Sequence, residues 1–184
     1  MDFITRHGMM HATTQHASDT TNPNLSLTLG EFVQGGYFAG YISHTEDGVA
    51  THALVVAPAN VGYSSGNIFS QWKTENTDTP GTYSEYLGAE NTLFMVAESI
   101  SNGGTLHPAA MWAYNLNING YTDWYLPAIK ELEIVYVNLK PSLDGNHLSA
   151  GPNSFAVPPR TTVYQHTTDP SQTTVEIFQL VIIC

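Results

Sequence analysis

Apolar positions along the chain fall into short runs separated by polar, Gly- and Pro-rich stretches. Leu25, Leu27 and Leu29 alternate with Ser26 and Thr28, a period of two that predicts a short strand. After Gly35-Gly36, residues 37–42 and 52–57 are strongly apolar. The intervening Glu46-Asp47-Gly48 is a turn signal, so the two runs predict a hairpin. Residues 58–88 are rich in Gly, Ser, Asn, Thr and Pro and predict a long loop region held by aromatics. Helical spacing then takes over. Residues 91–101 have apolar side chains at 93, 94, 96, 97 and 100, and Asn102-Gly103-Gly104 stops them. Pro108 opens a second helix over 108–116. Residues 123–126 read as a short strand, and a third helix over 128–139 follows Pro127. Its apolar face is Ile129, Leu132, Val135, Tyr136 and Leu139, with Lys130, Glu131 and Glu133 placed off that face. Residues 141–174 are polar again, and the apolar run over 175–184 predicts a buried strand.

This pattern divides the chain into an extended N-terminal arm over residues 1–30 and one domain over 31–184. The N-terminal stretch has no signal-peptide core, and no segment reaches the ~18 apolar residues of a membrane span.

Charge sharpens the picture. Charged residues make 11% of the chain, well under the roughly 25% usual for soluble domains. Its polar surface is therefore built from Ser, Thr, Asn, Gln, Gly and Tyr, which suits extracellular or virion proteins. Five Lys and Arg face 16 Asp and Glu, for a net charge of −11. That balance offers no phosphate-neutralising patch, so nucleic acid is excluded as a partner. Binding to an anionic membrane surface is disfavoured for the same reason. Cys184 is the one cysteine, so no intrachain disulfide or thiolate cluster forms.

Catalytic chemistry has no signature here. There is no nucleophile elbow, phosphate loop or dinucleotide fingerprint. His7 and His11 stand four residues apart, but no carboxylate or cysteine accompanies them at ligand spacing. We therefore expect no enzyme, no metal and no cofactor. Aromatic residues are the stronger feature. Tyr63, Trp72, Tyr83 and Tyr86 lie in the polar loop region, where aromatic faces bind sugar rings or protein surfaces with little entropic cost. The competing use for these rings is to pin the loop to the core. Trp112, Trp124 and Tyr125 lie in or beside elements and are assigned to the core.

The block from Gly120 to Pro141, containing Asp123-Trp-Tyr-Leu-Pro127 and Glu131-Leu-Glu133, resembles the C-type-lectin-like domain of phage tail-fibre and other virion proteins. Related domains end a Legionella collagen-like adhesin and some bacterial surface lipoproteins. Further matches are Gly35-Gly-Tyr-Phe-Ala-Gly40, His52-Ala-Leu-Val-Val-Ala-Pro58, Trp72-Lys-Thr74, Thr79-Pro-Gly-Thr82, Asn91-Thr92 and His107-Pro-Ala-Ala110. The resemblance covers about residues 34–160. It implies an α+β fold, a small twisted antiparallel sheet with two main helices over 108–116 and 128–139 and long loops. Trp124 and Leu126 then point inward. Family members continue with a Tyr-Trp-Ser-Ser-Thr-like strand and an Arg-rich strand, which this sequence replaces with Phe178-Gln-Leu-Val-Ile-Ile-Cys184, so the domain reads as C-terminally shortened. The calcium motifs of C-type lectins are missing, so calcium-dependent sugar binding is not expected.

The resulting expectation is a phage virion structural protein, a tail-fibre or appendage component that presents loops for host-surface recognition. Its partners are other virion proteins and a host surface glycan or protein, and it forms a homo-oligomer. The alternatives are a capsid decoration subunit without a host ligand and a glycan-active enzyme with a close carboxylate pair.

Overall fold

A computed structural model describes residues 10–13, 27–58, 61, 71–139 and 151–162. Among them the elements run β1 (Met10–Thr13), β2 (Phe32–Val33), β3 (Gly36–Ile42), β4 (His52–Val56), α1 (Gly88–Ser101), α2 (Pro108–Tyr114), β5 (Trp124–Tyr125), α3 (Ile129–Leu139) and β6 (Ala156–Val157). The strands form one antiparallel sheet in the order β2-β3-β4-β1-β5, with β6 also on β3. The class is α+β.

The β3–β4 hairpin is the centre of the sheet and follows the predicted turn. Asp47 Oδ1 accepts hydrogen bonds from the Val49 amide (2.8 Å) and the Ser43 hydroxyl (3.0 Å), which closes the connection. The near-continuous apolar run of β4 has a direct cause: both faces of the sheet are covered. Val55 and Ala57 face a core with Met95 and Val96 of α1 and Ala109, Ala110 and Ala113 of α2. Leu54 and Val56 face the other side, against Ile134, Val135 and Leu139 of α3. Strand β5 divides in the same way. Trp124 joins the α1/α2 core and Tyr125 the α3 core. Both are buried, as is Leu126, and Trp112 packs half-buried on the first core. Gly40 breaks the β3–β4 register at a bulge with φ +134°. A Cβ there would sit 2.6 Å from Asn138 Nδ2, so only glycine lets α3 approach β3 this closely.

Several expectations are corrected. Residues 27–30 are not a strand: the Glu31 amide bonds the Thr28 carbonyl and Glu31 Oε2 accepts from the Thr28 amide, closing a turn before β2. The alternating leucines were too few to outweigh that turn. Residues 10–13, placed in the extended arm, run as a strand between β4 and β5. The expected face of α3 is also wrong at its start. Ile129 is 65% exposed and Glu131 only 1%. The expected strand over 175–184 and the site residue Tyr63 lie outside the described residues.

Candidate recognition surface

The loop that precedes α1 is braced by a buried polar cluster. Lys73 has a side chain only 5% exposed. Its ammonium donates to the Asp78 carbonyl (3.0 Å) and to Thr79 Oγ1 (2.8 Å), and lies 3.4 Å from Glu98 Oε1 on α1. His107, fully buried at the start of α2, places Nε2 2.8 Å from Glu98 Oε2 and 3.0 Å from Thr79 Oγ1. Its Nδ1 faces the Trp72 carbonyl at 3.3 Å, and its amide donates to Ser99 Oγ at 2.7 Å. The hydrogen bond with His107, then that with Thr79 and the nearby Lys73 charge, hold the Glu98 carboxyl below its usual range. Two backbone bonds, from the Thr74 amide to the Leu106 carbonyl and from the Ala109 amide to the Gln71 carbonyl, complete the brace. The imidazole is shut away from any ligand, so these groups hold a loop in place.

That brace sets two aromatic side chains at the surface. Trp72 is 40% exposed and Tyr83 72% exposed. Tyr83 sits on a fixed base as well. The next residue, Ser84, exchanges hydrogen bonds with the Asn91 side chain (3.2 and 2.7 Å), and its hydroxyl accepts from the Leu87 amide. Tyr86 has a different use. Its ring stacks on Phe155 (centroids 4.3 Å apart, 16° between planes) and lies 5.8 Å from His44. Of the three described site residues, Trp72 and Tyr83 are therefore presented, while Tyr86 pins the loop. No ring contact joins the three among the described residues.

A second buried polar centre ties the β5–α3 block to α1. Glu131 Oε2 accepts from the Ala128 amide (2.7 Å) and the Gly88 amide (3.1 Å), while Oε1 accepts from the Tyr125 hydroxyl (2.8 Å). One carboxylate thus satisfies orphan amides at the starts of two helices. Burial nevertheless pushes its pKa up to about 7, against the hydrogen bonds that lower it. Burial and the adjacent Glu131 also raise the Tyr125 hydroxyl well above its usual value. Gly88 is required here, since a Cβ would lie 2.4 Å from Glu131 Oε2 and 2.6 Å from the Ala128 nitrogen.

Beside Tyr86, the rings of His44 and His52 stack at 4.3 Å. Burial, then the neighbouring His52, lowers His44 to about 4, and burial lowers His52. A cleft of about 340 Å³ lies between α3 and the 153–162 segment, where Arg160 pairs with Glu133. Among the described residues, no three His, Cys, Asp or Glu side chains gather as metal ligands, and no helix is long and apolar enough to cross a membrane. His11 lies in β1, opposite Val55 and Trp124, and His7 lies outside the described residues.

Sequence reasoning missed Lys73, Glu98, His107 and Glu131 as positioning groups. A signal existed for two of them: Trp72-Lys-Thr74 and His107-Pro-Ala-Ala110 are separate matched stretches, and the fold brings them into contact. No family model, characterised protein or solved structure matches this chain.

Proposed function

We propose that this chain is a phage virion structural protein with a C-type-lectin-like fold, a tail-fibre or appendage component that presents loops to a host surface. The observation that carries the reading is the pairing of exposed Trp72 and Tyr83 with a loop braced through Lys73, Glu98 and His107. Rigid aromatic faces on a surface poor in charge suit a glycan or a protein surface, because little side-chain entropy is lost on contact. The β5–α3 block supports the same reading through its resemblance to the virion domains. In this reading the chain acts as a homo-oligomer among other virion proteins.

The test is binding of the purified chain to an array of bacterial surface polysaccharides and to intact bacteria, beside a Trp72→Ala/Tyr83→Ala variant. We expect saturable binding by the parent and at least a ~10-fold loss in the variant with the fold unchanged. Immunogold labelling of particles locates the subunit. Label on the capsid shell with no binding to cells or glycans replaces the reading with that of a decoration subunit. Label on neither particle nor cell overturns both.

A further inference from the structure

Helix α1 carries apolar side chains on its outer side that stay largely exposed among the described residues, with the Phe94 ring also lying against Gly81 of the preceding loop. Leu93 is 57% exposed, Phe94 44% and Ile100 63%, and Ala97 is exposed with them. Positions 93, 97 and 100 align at i, i+4 and i+7, with Phe94 one step round the helix. The helix already docks through its other side, where Thr92, Met95, Val96 and Ser99 are buried. Among the described residues, Leu93, Ala97 and Ile100 therefore take no part in that docking, and an apolar patch of this kind marks an interaction site more often than isolated exposed residues do.

Acidic residues outnumber basic ones on α1 and in the loop before it. Glu90 and Glu98 are the charged residues of α1, and the loop before it adds Glu75, Asp78 and Glu85. Lys73, the one base of that loop, is turned inward onto Glu98. In a chain of net charge −11, a second copy on this face would set Glu90 against a like charge, Glu98 being already matched by Lys73. We infer that the outer face of α1 is a docking site for a protein partner that offers apolar side chains flanked by Lys or Arg. This does not rest on the virion reading, since it follows from surface chemistry alone.

The probe is a labelled amphipathic helical peptide with a Leu face and Lys flanks, compared with one in which Glu replaces Lys. Both are titrated into the full chain by fluorescence anisotropy, with light scattering on the chain alone. We expect saturable binding of the Leu/Lys peptide, weakened by added salt, and none of the Leu/Glu peptide. Leu93→Ser with Ile100→Ser should weaken binding by at least ~10-fold. Ile129→Ser, at an exposed apolar residue on α3, should leave it unchanged. If the double variant fails to fold by circular dichroism, Glu90→Lys serves instead and should move the preference towards the Leu/Glu peptide. Equal binding of both peptides, no binding of either, or binding indifferent to these substitutions overturns the proposal. So does self-association of the parent chain that these substitutions abolish, which makes a second copy the occupant.

Discussion

Replacing Glu131 with Gln should change how stability depends on pH while leaving the fold in place. The carboxyl is 1% exposed and serves three donors, the amides of Gly88 and Ala128 and the Tyr125 hydroxyl. Its pKa is about 7 in the folded chain, against 4.5 as the ordinary value. The folded state thus holds the proton more tightly than the unfolded state does. At ~1.36 kcal/mol per pH unit the gap is worth about 3 kcal/mol. That stability is fully present below pH 4.5, is lost as pH rises through 7, and does not return above it. A Gln side chain is neutral throughout. Its carbonyl oxygen can take both amides, and its NH2 can donate to the Tyr125 oxygen. Urea unfolding of parent and Glu131→Gln, followed by far-UV circular dichroism at pH 5, 6, 7 and 8, reads the difference directly. The parent should lose about 2–3 kcal/mol relative to the variant between pH 5 and pH 8, with equal m-values. Parallel pH profiles would refute the reasoning, because they would mean that Glu131 ionises as easily in the folded chain as in water. Glu131→Ala is the companion variant. It strands three buried donors at ~1–3 kcal/mol each, so it should be destabilised by at least about 3 kcal/mol at pH 5.

Other substitutions probe the remaining parts of the argument. Lys73→Met removes the ammonium from Asp78, Thr79 and Glu98 and should destabilise by about 2–3 kcal/mol. Acrylamide quenching of tryptophan fluorescence, measured against Trp72→Phe, should rise as the loop loosens. Gly88→Ala drives a methyl into Glu131 and the Ala128 nitrogen and should cost about 1–3 kcal/mol in thermal or urea unfolding. His44 gives a pH effect of the opposite sign to Glu131. Its folded pKa is lowered to about 4, so the stability it contributes is present above pH 6.5 and is lost as pH falls through 4. His44→Phe keeps an aromatic ring against His52 and should flatten that acid limb in a pH series of melting temperatures.

What the sequence made legible were features with a local cause. The β3–β4 hairpin was read from two apolar runs and a turn signal, and α1, α2 and α3 from helical spacing with Gly and Pro stops. Trp124 and Leu126 were placed inward correctly. Glu131 was misplaced because hydrophobic periodicity scores only the side chain, and here a carboxylate occupies a core position. The demand for it comes from the Gly88 amide, distant in sequence, and no window across α3 contains that donor. The same holds for the loop aromatics. Trp72, Tyr83 and Tyr86 have similar polar surroundings in sequence, yet Tyr86 is half-buried and stacked on Phe155, which lies next to β6 far down the chain.

The long-range polar contacts explain how a loop with so few apolar anchors keeps a defined shape. Between residues 71 and 87 the side chains are mostly exposed, with Thr79 the one residue in that stretch fully buried. Apolar contacts there are few, mainly Tyr86 on Phe155 and Phe94 against Gly81, and a segment of that composition loses considerable backbone entropy on ordering. The compensation comes from Lys73, whose charge is matched by Glu98, and from His107, whose two ring nitrogens face Glu98 and the Trp72 carbonyl. Glu98 lies on the helix that also carries the exposed Leu93, Phe94 and Ile100, so one helix braces the loop with one flank and leaves apolar side chains exposed on its outer side. A partner on that stripe would contact the helix that braces the loop presenting Trp72 and Tyr83. Binding at the stripe should accordingly slow amide exchange at Thr74, whose N–H is held by the Leu106 carbonyl.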